Sequence, residues 1–294
     1  MKPYSIAAEL LLQDMTITVS FLMMHNSSCL LELTQPIRKN EIPCELLTLG
    51  EINLYKKVLE NTTYELATTG SQDIKTALSN NTDLIPGVYE GGLKTWECSL
   101  DLLMLLAQMS KGVDMSSTRV LELGCGSGLP GVYMISCTSA SRVDFQDYNE
   151  EVLTHVTIPN VVLNAPVSGK SLNEEVHPSA LAQRSSFYSG DWSGFVQLNN
   201  PNKAPELKYD IVLTSETIYE PSLNKVLLAT IKDSMAYPRG VALVAAKSYY
   251  FGVGGSMTAF QSLVASDPEL KSETVYQSSE GVNREILQIS FASA

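Results

Sequence analysis

The stretch Arg119-Val-Leu-Glu-Leu-Gly-Cys-Gly-Ser-Gly-Leu-Pro-Gly131 constrains this chain more than any other. Residues 120–123 form an apolar run that holds one acid, Glu122, and breaks at once into Gly124, Gly126 and Gly128. The run reads as a buried strand, the glycines as a sharp turn, and Leu129 onward as a helix. Glycines at this spacing let a ligand lie against bare backbone, where any Cβ would intrude. N–H groups at the start of the helix can face an anionic or polar ligand edge.

Glycine spacing alone leaves the ligand open. Gly126, Gly128 and Gly131 fit the Gly-x-Gly-x-x-Gly turn of dinucleotide enzymes, and Asp147, after the next strand, fits that reading too. Glu122, inside the strand, tilts the choice. Glu122-Leu-Gly-Cys-Gly-Ser-Gly128 resembles the first motif of S-adenosylmethionine-dependent methyltransferases of the seven-strand type. The resemblance implies S-adenosyl-L-methionine as cofactor, with Asp147 on its ribose hydroxyls. A carboxylate suits that task, since it accepts two hydrogen bonds from a vicinal diol.

Of the 294 residues, 44% are hydrophobic, enough for a substantial core. The formal charge of -12 argues against broad binding to phosphate backbones, so no direct nucleic-acid contact is expected. It suits a basic partner, although a solvated acidic surface is the commoner meaning. Cys29, Cys44, Cys98, Cys125 and Cys137 are odd in number and widely spaced, without a zinc pattern; a reducing compartment suits them. Triplets at Asn26, Asn61 and Asn80 resemble or match the glycosylation pattern, which arises often by chance. His25, Asn26, Ser27 and Ser28 interrupt the apolar residues 15–31, so a strand is expected there rather than a membrane span. The expectation is a soluble monomer of cytoplasm and nucleus.

Turn-rich sequence before Asp83 places a boundary there, between an N-terminal accessory segment, 1–82, and a domain, 83–294. Downstream, strands are expected at 119–123, 142–146, 187–189, 209–214 and 241–246. Helices are expected at 97–109, 129–137, 150–156, 223–235 and 258–264, with Pro159 limiting the third. Residues 168–186 read as a polar insertion, and 274–277 with 285–290 as a closing strand pair. This alternation implies an α/β fold: a Rossmann-like, doubly wound, mostly parallel seven-stranded sheet. Ligands of such sheets bind beyond the carboxyl ends of the strands. The glycine turn, Asp147, Trp192 and Ser215 all fall at such ends, which points to a single site.

Within Gly190-Asp-Trp192 the indole offers a flat surface for an adenine, and Asp191 can accept from its exocyclic amine. Glu216 and Tyr219 are three apart and would share a face on a helical turn; Ser215 also suits a helix cap. Residues 83–100 pack glycines, a proline and aromatics ahead of a helix. These residues, with Phe145-Gln-Asp-Tyr-Asn149, Pro159-Asn-Val-Val-Leu-Asn164, Gly190-Asp-Trp192, Thr214-Ser-Glu-Thr-Ile-Tyr219 and Tyr250-Phe-Gly-Val-Gly-Gly255, resemble the protein-histidine methyltransferase family over 83–294. Pro130 departs from that pattern but is tolerated in a first helical turn.

The resemblance implies methyl transfer to a histidine of a large-subunit ribosomal protein, at the tele nitrogen. It also implies a cofactor pocket lined by Trp96, Glu97, Cys98 and Ser99, by Glu122, Gly124 and Gly126, by Asp147, Tyr148 and Asn149, by Gly190, Asp191 and Trp192, and by Ser215. Glu216-Thr-Ile-Tyr219 resembles the acid-x-x-aromatic motif of related lysine methyltransferases. Glu216 is the first candidate to accept a hydrogen bond from the target imidazole, with Asn164 or Tyr219 next. Tyr249, Tyr250 and Phe251 are expected to border the substrate entrance. His25, His155 and His177 read as bystanders. The alternatives are a lysine methyltransferase, a ribosomal-protein-binding assembly factor and, from the glycine spacing, a dinucleotide oxidoreductase.

Overall fold

The computed structural model describes residues 19–25, 28–59, 75–76, 79, 85, 88–165, 171–278 and 281–292. The boundary expected at Asp83 and the Asn26, Asn61 and Asn80 triplets lie outside them. Two antiparallel strands, β1 (Val19–His25) and β2 (Ser28–Leu33), come first. The short β3 (Ile37–Arg38) and the hairpin β4 (Cys44–Leu49) with β5 (Ile52–Lys57) follow. Then come α1 (Glu97–Met109), β6 (Arg119–Leu123), α2 (Leu129–Cys137) and β7 (Arg142–Asp147). A continuous helical run joins α3 (Glu150–Val152), a π-helical turn (Leu153–Thr157) and α4 (Ile158–Asn164). The polar insertion contains β8 (Glu175–Val176), paired with β3, and α5 (Pro178–Ala182). The chain closes with β9 (Phe187–Ser189), α6 (Trp192–Asn199), β10 (Ile211–Ser215), α7 (Asn224–Ser234), β11 (Val241–Lys247), α8 (Met257–Ala265), β12 (Leu270–Ser278) and β13 (Arg284–Phe291).

The main sheet runs β1-β2-β9-β7-β6-β10-β11-β13-β12, nine strands where seven were expected. From β9 to β11 the strands are parallel, and β13 and β12 close one edge antiparallel. The extra pair is the N-terminal hairpin: β2 pairs antiparallel with β9 and covers what would otherwise be an open edge. Part of the N-terminal segment is thus woven into the same sheet.

Side chains alternate across the sheet with period two. Val120, Val143, Phe145, Leu213 and Leu243 face one side, where Leu102, Leu106, Val132, Ile158 and Val162 of the helices cover them. Leu121, Leu123, Val212 and Val244 face the other, under Phe195, Leu227, Ile231 and Phe260. Burial on both faces explains why β6 reads as nearly unbroken apolar sequence.

Pro159 does not end the third helix. It sits in the first turn of α4, directly after the π turn, whose wider ring accommodates the missing N–H. The fourth strand starts at Ile211 rather than Tyr209, which forms only an isolated bridge to Met235. Among the described residues no helix is long and apolar enough to cross a membrane, and no cluster of possible metal ligands occurs.

Candidate active site

The parallel strands end at a cleft open on one side. It lies where the strand order reverses, between β6 and β10.

The glycine turn forms its floor. Gly124 and Gly126 have φ of +57° and +50°, a left-handed backbone that other residues enter only with strain. A Cβ on Gly124 would lie 2.6 Å from Thr217 Cγ2, and one on Gly126 3.2 Å from Gly92 O. The turn is therefore sandwiched between the segment after β10 and the loop before α1. Gln146 fixes it further: its Oε1 accepts from Gly124 N at 3.3 Å, and its Nε2 donates to Gly190 O at 2.7 Å. That side chain ties the ends of β6 and β9 together.

Asp147, at the end of β7, lines the cleft. Its carboxylate accepts from Gly126 N at 2.8 Å and Asn149 N at 3.1 Å. Burial pushes its pKa up to about 6, with nearby Glu90 adding to the rise. Each carboxylate oxygen retains a second lone pair that can face a ligand. Gly190, Asp191, Trp192 and Tyr148 border the same end; Asp191 also caps α6 by accepting from Gly194 N at 2.8 Å.

The loop before α1 straps over the turn. Asn149 Oδ1 accepts from Glu90 N at 3.1 Å, and Asn149 Nδ2 donates to Val88 O at 2.8 Å. Trp96 Nε1 donates to Gly91 O at 3.1 Å. The Tyr219 hydroxyl donates to the Glu90 carboxylate, which joins the strap to the segment after β10.

That segment carries Ser215, Glu216, Thr217 and Tyr219 into the cleft. It is not the helical turn expected from spacing, and Ser215 caps no helix: Glu216 turns left-handed, with φ +58°. A non-glycine residue in that region is strained, and such strain clusters at functional sites. Its side chain is 7% exposed, and Oε1 is buried without a hydrogen-bond partner, 3.8 Å from Lys247 Nζ. Tyr250 and Cys98 pack close, and the Glu216 carboxylate helps raise the pKa of both, after burial. Lys247 Nζ also lies 3.9 Å from Glu97 Oε2, and over the Trp96 ring at 5.1 Å.

Some expected pocket residues stand elsewhere. Of the quartet at the start of α1, Trp96 and Ser99, three apart on one helical face, line the cleft. Glu97 faces solvent, its side chain 64% exposed, and Cys98 is buried behind the wall. Glu122 lies beneath the turn, accepting from Gly131 N at 2.7 Å, and Asn149 acts through the strap. Asn164 does not line the cleft. Its side chain satisfies β5 by accepting from Tyr55 N at 2.9 Å and donating to Tyr55 O at 2.7 Å, so it is a structural residue. Tyr250 is buried and lies outside the cleft lining, while Tyr249 and Phe251 are exposed. His155 is half-buried on the π turn, where desolvation and Lys57 press its pKa down to about 4; His177 caps α5. Neither lines the cleft.

Glu90, Gln146 and Lys247 escaped the sequence reading. Only the position of Glu90 ahead of Gly91-Gly92 hinted at a role. The other two matter through partners distant in the chain.

A family model described as "Lysine methyltransferase" matches residues 87–250. A histidine protein methyltransferase 1 homolog of Rattus norvegicus is 39% identical over 76% of this chain and 62% of its own length. Histidine protein methyltransferase 1 of Schizosaccharomyces pombe is 38% identical over 74% of this chain and 70% of its own. The chain thus spans less than two thirds of the rat relative. A putative RNA methyltransferase from Pyrococcus horikoshii, a solved structure, aligns with a TM-score of 0.44 at 11% identity over 75% of this chain and 96% of its own. The sequence relatives decide the matter: this chain belongs to the protein-histidine methyltransferase family, that of histidine protein methyltransferase 1 and its homologues.

Proposed function

We propose that this chain transfers a methyl group from S-adenosylmethionine to the tele nitrogen of a histidine in a large-subunit ribosomal protein. The observation that carries the reading is Glu216 Oε1, a buried acceptor without a hydrogen-bond partner at the acceptor end of the cleft. Buried acceptors of this kind are costly unless a ligand satisfies them.

The residues fit the cofactor. Gly124 and Gly126 line the cleft as bare backbone, and Asp147 offers two oxygens to a ribose diol. Trp192 supplies a flat apolar wall. When bound, the cofactor supplies an electrophilic methyl on a sulfonium. The chain has then mainly to hold the acceptor in line. A histidine has a pKa near ~6.5, so its neutral form is abundant at neutral pH. Glu216, accepting from the proximal N–H, fixes the tautomer whose distal nitrogen carries the lone pair. With the cofactor held at Gly124, Gly126, Asp147 and Trp192, that nitrogen would take the methyl as the sulfonium became a neutral thioether. The resulting imidazolium gives its N–H proton to Glu216 or to water. The excess of acids suits a basic ribosomal protein.

Lysine methylation is the second reading, favoured by the description of the matching family model. Incubation with isotopically labelled cofactor and a ribosomal-protein fraction, followed by mass spectrometry, separates the two. Label on histidine is expected; label on lysine alone would overturn the histidine reading. Asp147→Asn is expected to weaken S-adenosylhomocysteine binding roughly ten- to hundredfold in calorimetry, the usual cost of a lost charge-assisted hydrogen bond. Unchanged affinity would remove Asp147 from the ribose.

A further inference from the structure

Lys247 is the last residue of β11, and its ammonium lies against Glu216 and Trp96. Its side chain is 21% exposed. Nζ lies 3.8 Å from Glu216 Oε1 and 3.9 Å from Glu97 Oε2. The Trp96 and Tyr250 ring centres are 5.1 and 5.9 Å away. Trp96 and Glu216 themselves line the cleft. A group hydrogen-bonded to the Glu216 carboxylate therefore comes within about 7 Å of a resident cation.

We propose that Lys247 is a specificity-determining residue that makes the acceptor site favour a neutral imidazole over a cationic acceptor. The inference rests on the histidine reading of this cleft. Glu216 by itself would attract any cation, whether a lysine ammonium or an imidazolium, and neither has a lone pair for the methyl. Lys247 occupies that attraction in advance. A second ammonium at the same carboxylate meets like-charge repulsion, whereas a neutral N–H donor meets none. The resident cation also lowers the pKa of a bound imidazole, which keeps it nucleophilic.

A second cation, Lys94, lines the cleft and lies over the same Trp96 ring at 4.9 Å, but among the described residues only Lys247 pairs with Glu216. Glu97, Cys98 and Asp101 come from α1, and Asp101 is taken by Arg284, which sits opposite Lys247 on β13. Tyr250 accepts from the Lys247 backbone N at 3.3 Å, and Glu285 accepts from Ser248. Glu90 is held by Tyr219. Lys247 is the cation nearest Glu216 among these.

The test uses the full chain, S-adenosylmethionine and two synthetic peptides, one with a single histidine acceptor and one with lysine in its place. Melting curves and S-adenosylhomocysteine calorimetry establish that each variant is folded and loaded. In Lys247→Met the acid limb of kcat on the histidine peptide should move to higher pH by about one unit, because the bound imidazole protonates more readily. Use of the lysine peptide should rise at least about tenfold. Lys247→Gln should behave alike and serves if the methionine variant does not fold; Lys247→Arg should keep the wild-type profile. A merely structural lysine would not move the limb. An unmoved limb, or a lysine peptide used no better than by wild type, overturns the specificity role. Wild type that labels lysine and never histidine would instead overturn the reading beneath it.

Discussion

Glu216→Gly is expected to cost about hundredfold in methyl transfer while the protein melts at the same temperature or higher. The two effects share one cause. Glu216 sits at φ +58°, where a side chain costs about 1–2 kcal/mol and glycine none. It also buries a carboxylate oxygen without a hydrogen bond. Glycine removes both penalties, against an unfolded-state cost of about 0.5–1 kcal/mol. On the proposed reading, methyl transfer loses the acceptor that fixes the imidazole tautomer, a charge-assisted bond worth about 1.5–3 kcal/mol. Glu216→Gln keeps the strain and an amide oxygen, so its loss should be smaller. Thermal melting with single-turnover kinetics on a histidine peptide checks the pair. A glycine variant of wild-type rate would strip Glu216 of its part in the reaction. One that melted far lower would show that the left-handed kink is not a strain the fold carries for function.

The parts of this site that are legible in sequence are those made by neighbours in the chain. The glycine turn, Asp147 at the end of β7 and Trp192 after β9 each follow from a strand that stops and a backbone that must bend. What stayed hidden depends on partners far along the chain. Ser28 donates to Asp191 O across 163 positions, and Asn164 holds Tyr55 across 109. No local pattern announces such a pair, so from sequence Asn164, beside helical motif residues, reads as a candidate reacting group. Glu216 and Tyr219 were placed together for the wrong reason. Their spacing suits a helical turn, but a left-handed kink delivers both. Strain at a glutamate leaves no trace in sequence, because glycine would be the ordinary choice there. The extra hairpin strands stay hidden similarly: residues 16–22 read as a strand, yet the place of β1 in the sheet depends on β2 meeting the edge of β9.

Stability of the ligand-free protein should fall as pH rises from about 4.5 to about 8, and Glu122→Gln should flatten that slope. Glu122 is wholly enclosed between β6 and α2, where burial pushes its pKa up to about 8, and Asp147 adds to the rise. One oxygen accepts from Gly131 N at 2.7 Å; the other has no hydrogen-bond partner. Asp147, above it, is raised to about 6. A carboxyl whose folded pKa is raised stays protonated in the fold after the unfolded chain has released its proton. The unfolded state then binds fewer protons, so stability decreases with pH. For Glu122 the window opens near the ordinary value of 4.5 and closes near 8; for Asp147 it runs from 3.8 to about 6. Each group contributes at most about 1.4 kcal/mol per pH unit inside its window. Asp114, Glu220 and Asp267 have lowered values, so they act with the opposite sign and at lower pH. His155, lowered from 6.5 to about 4, also acts with the opposite sign between those values and offsets part of the fall there, so the slope above pH 6.5 belongs to Glu122. Glutamine is uncharged at every pH and retains the oxygen that accepts from Gly131. Denaturant titrations of wild type and Glu122→Gln at pH 5, 6.5 and 8 should therefore converge at the acid end and separate at the alkaline end, with the variant the more stable. Parallel curves would mean that the acid in the first motif is ionised in the fold, and that something at the cleft floor compensates its charge.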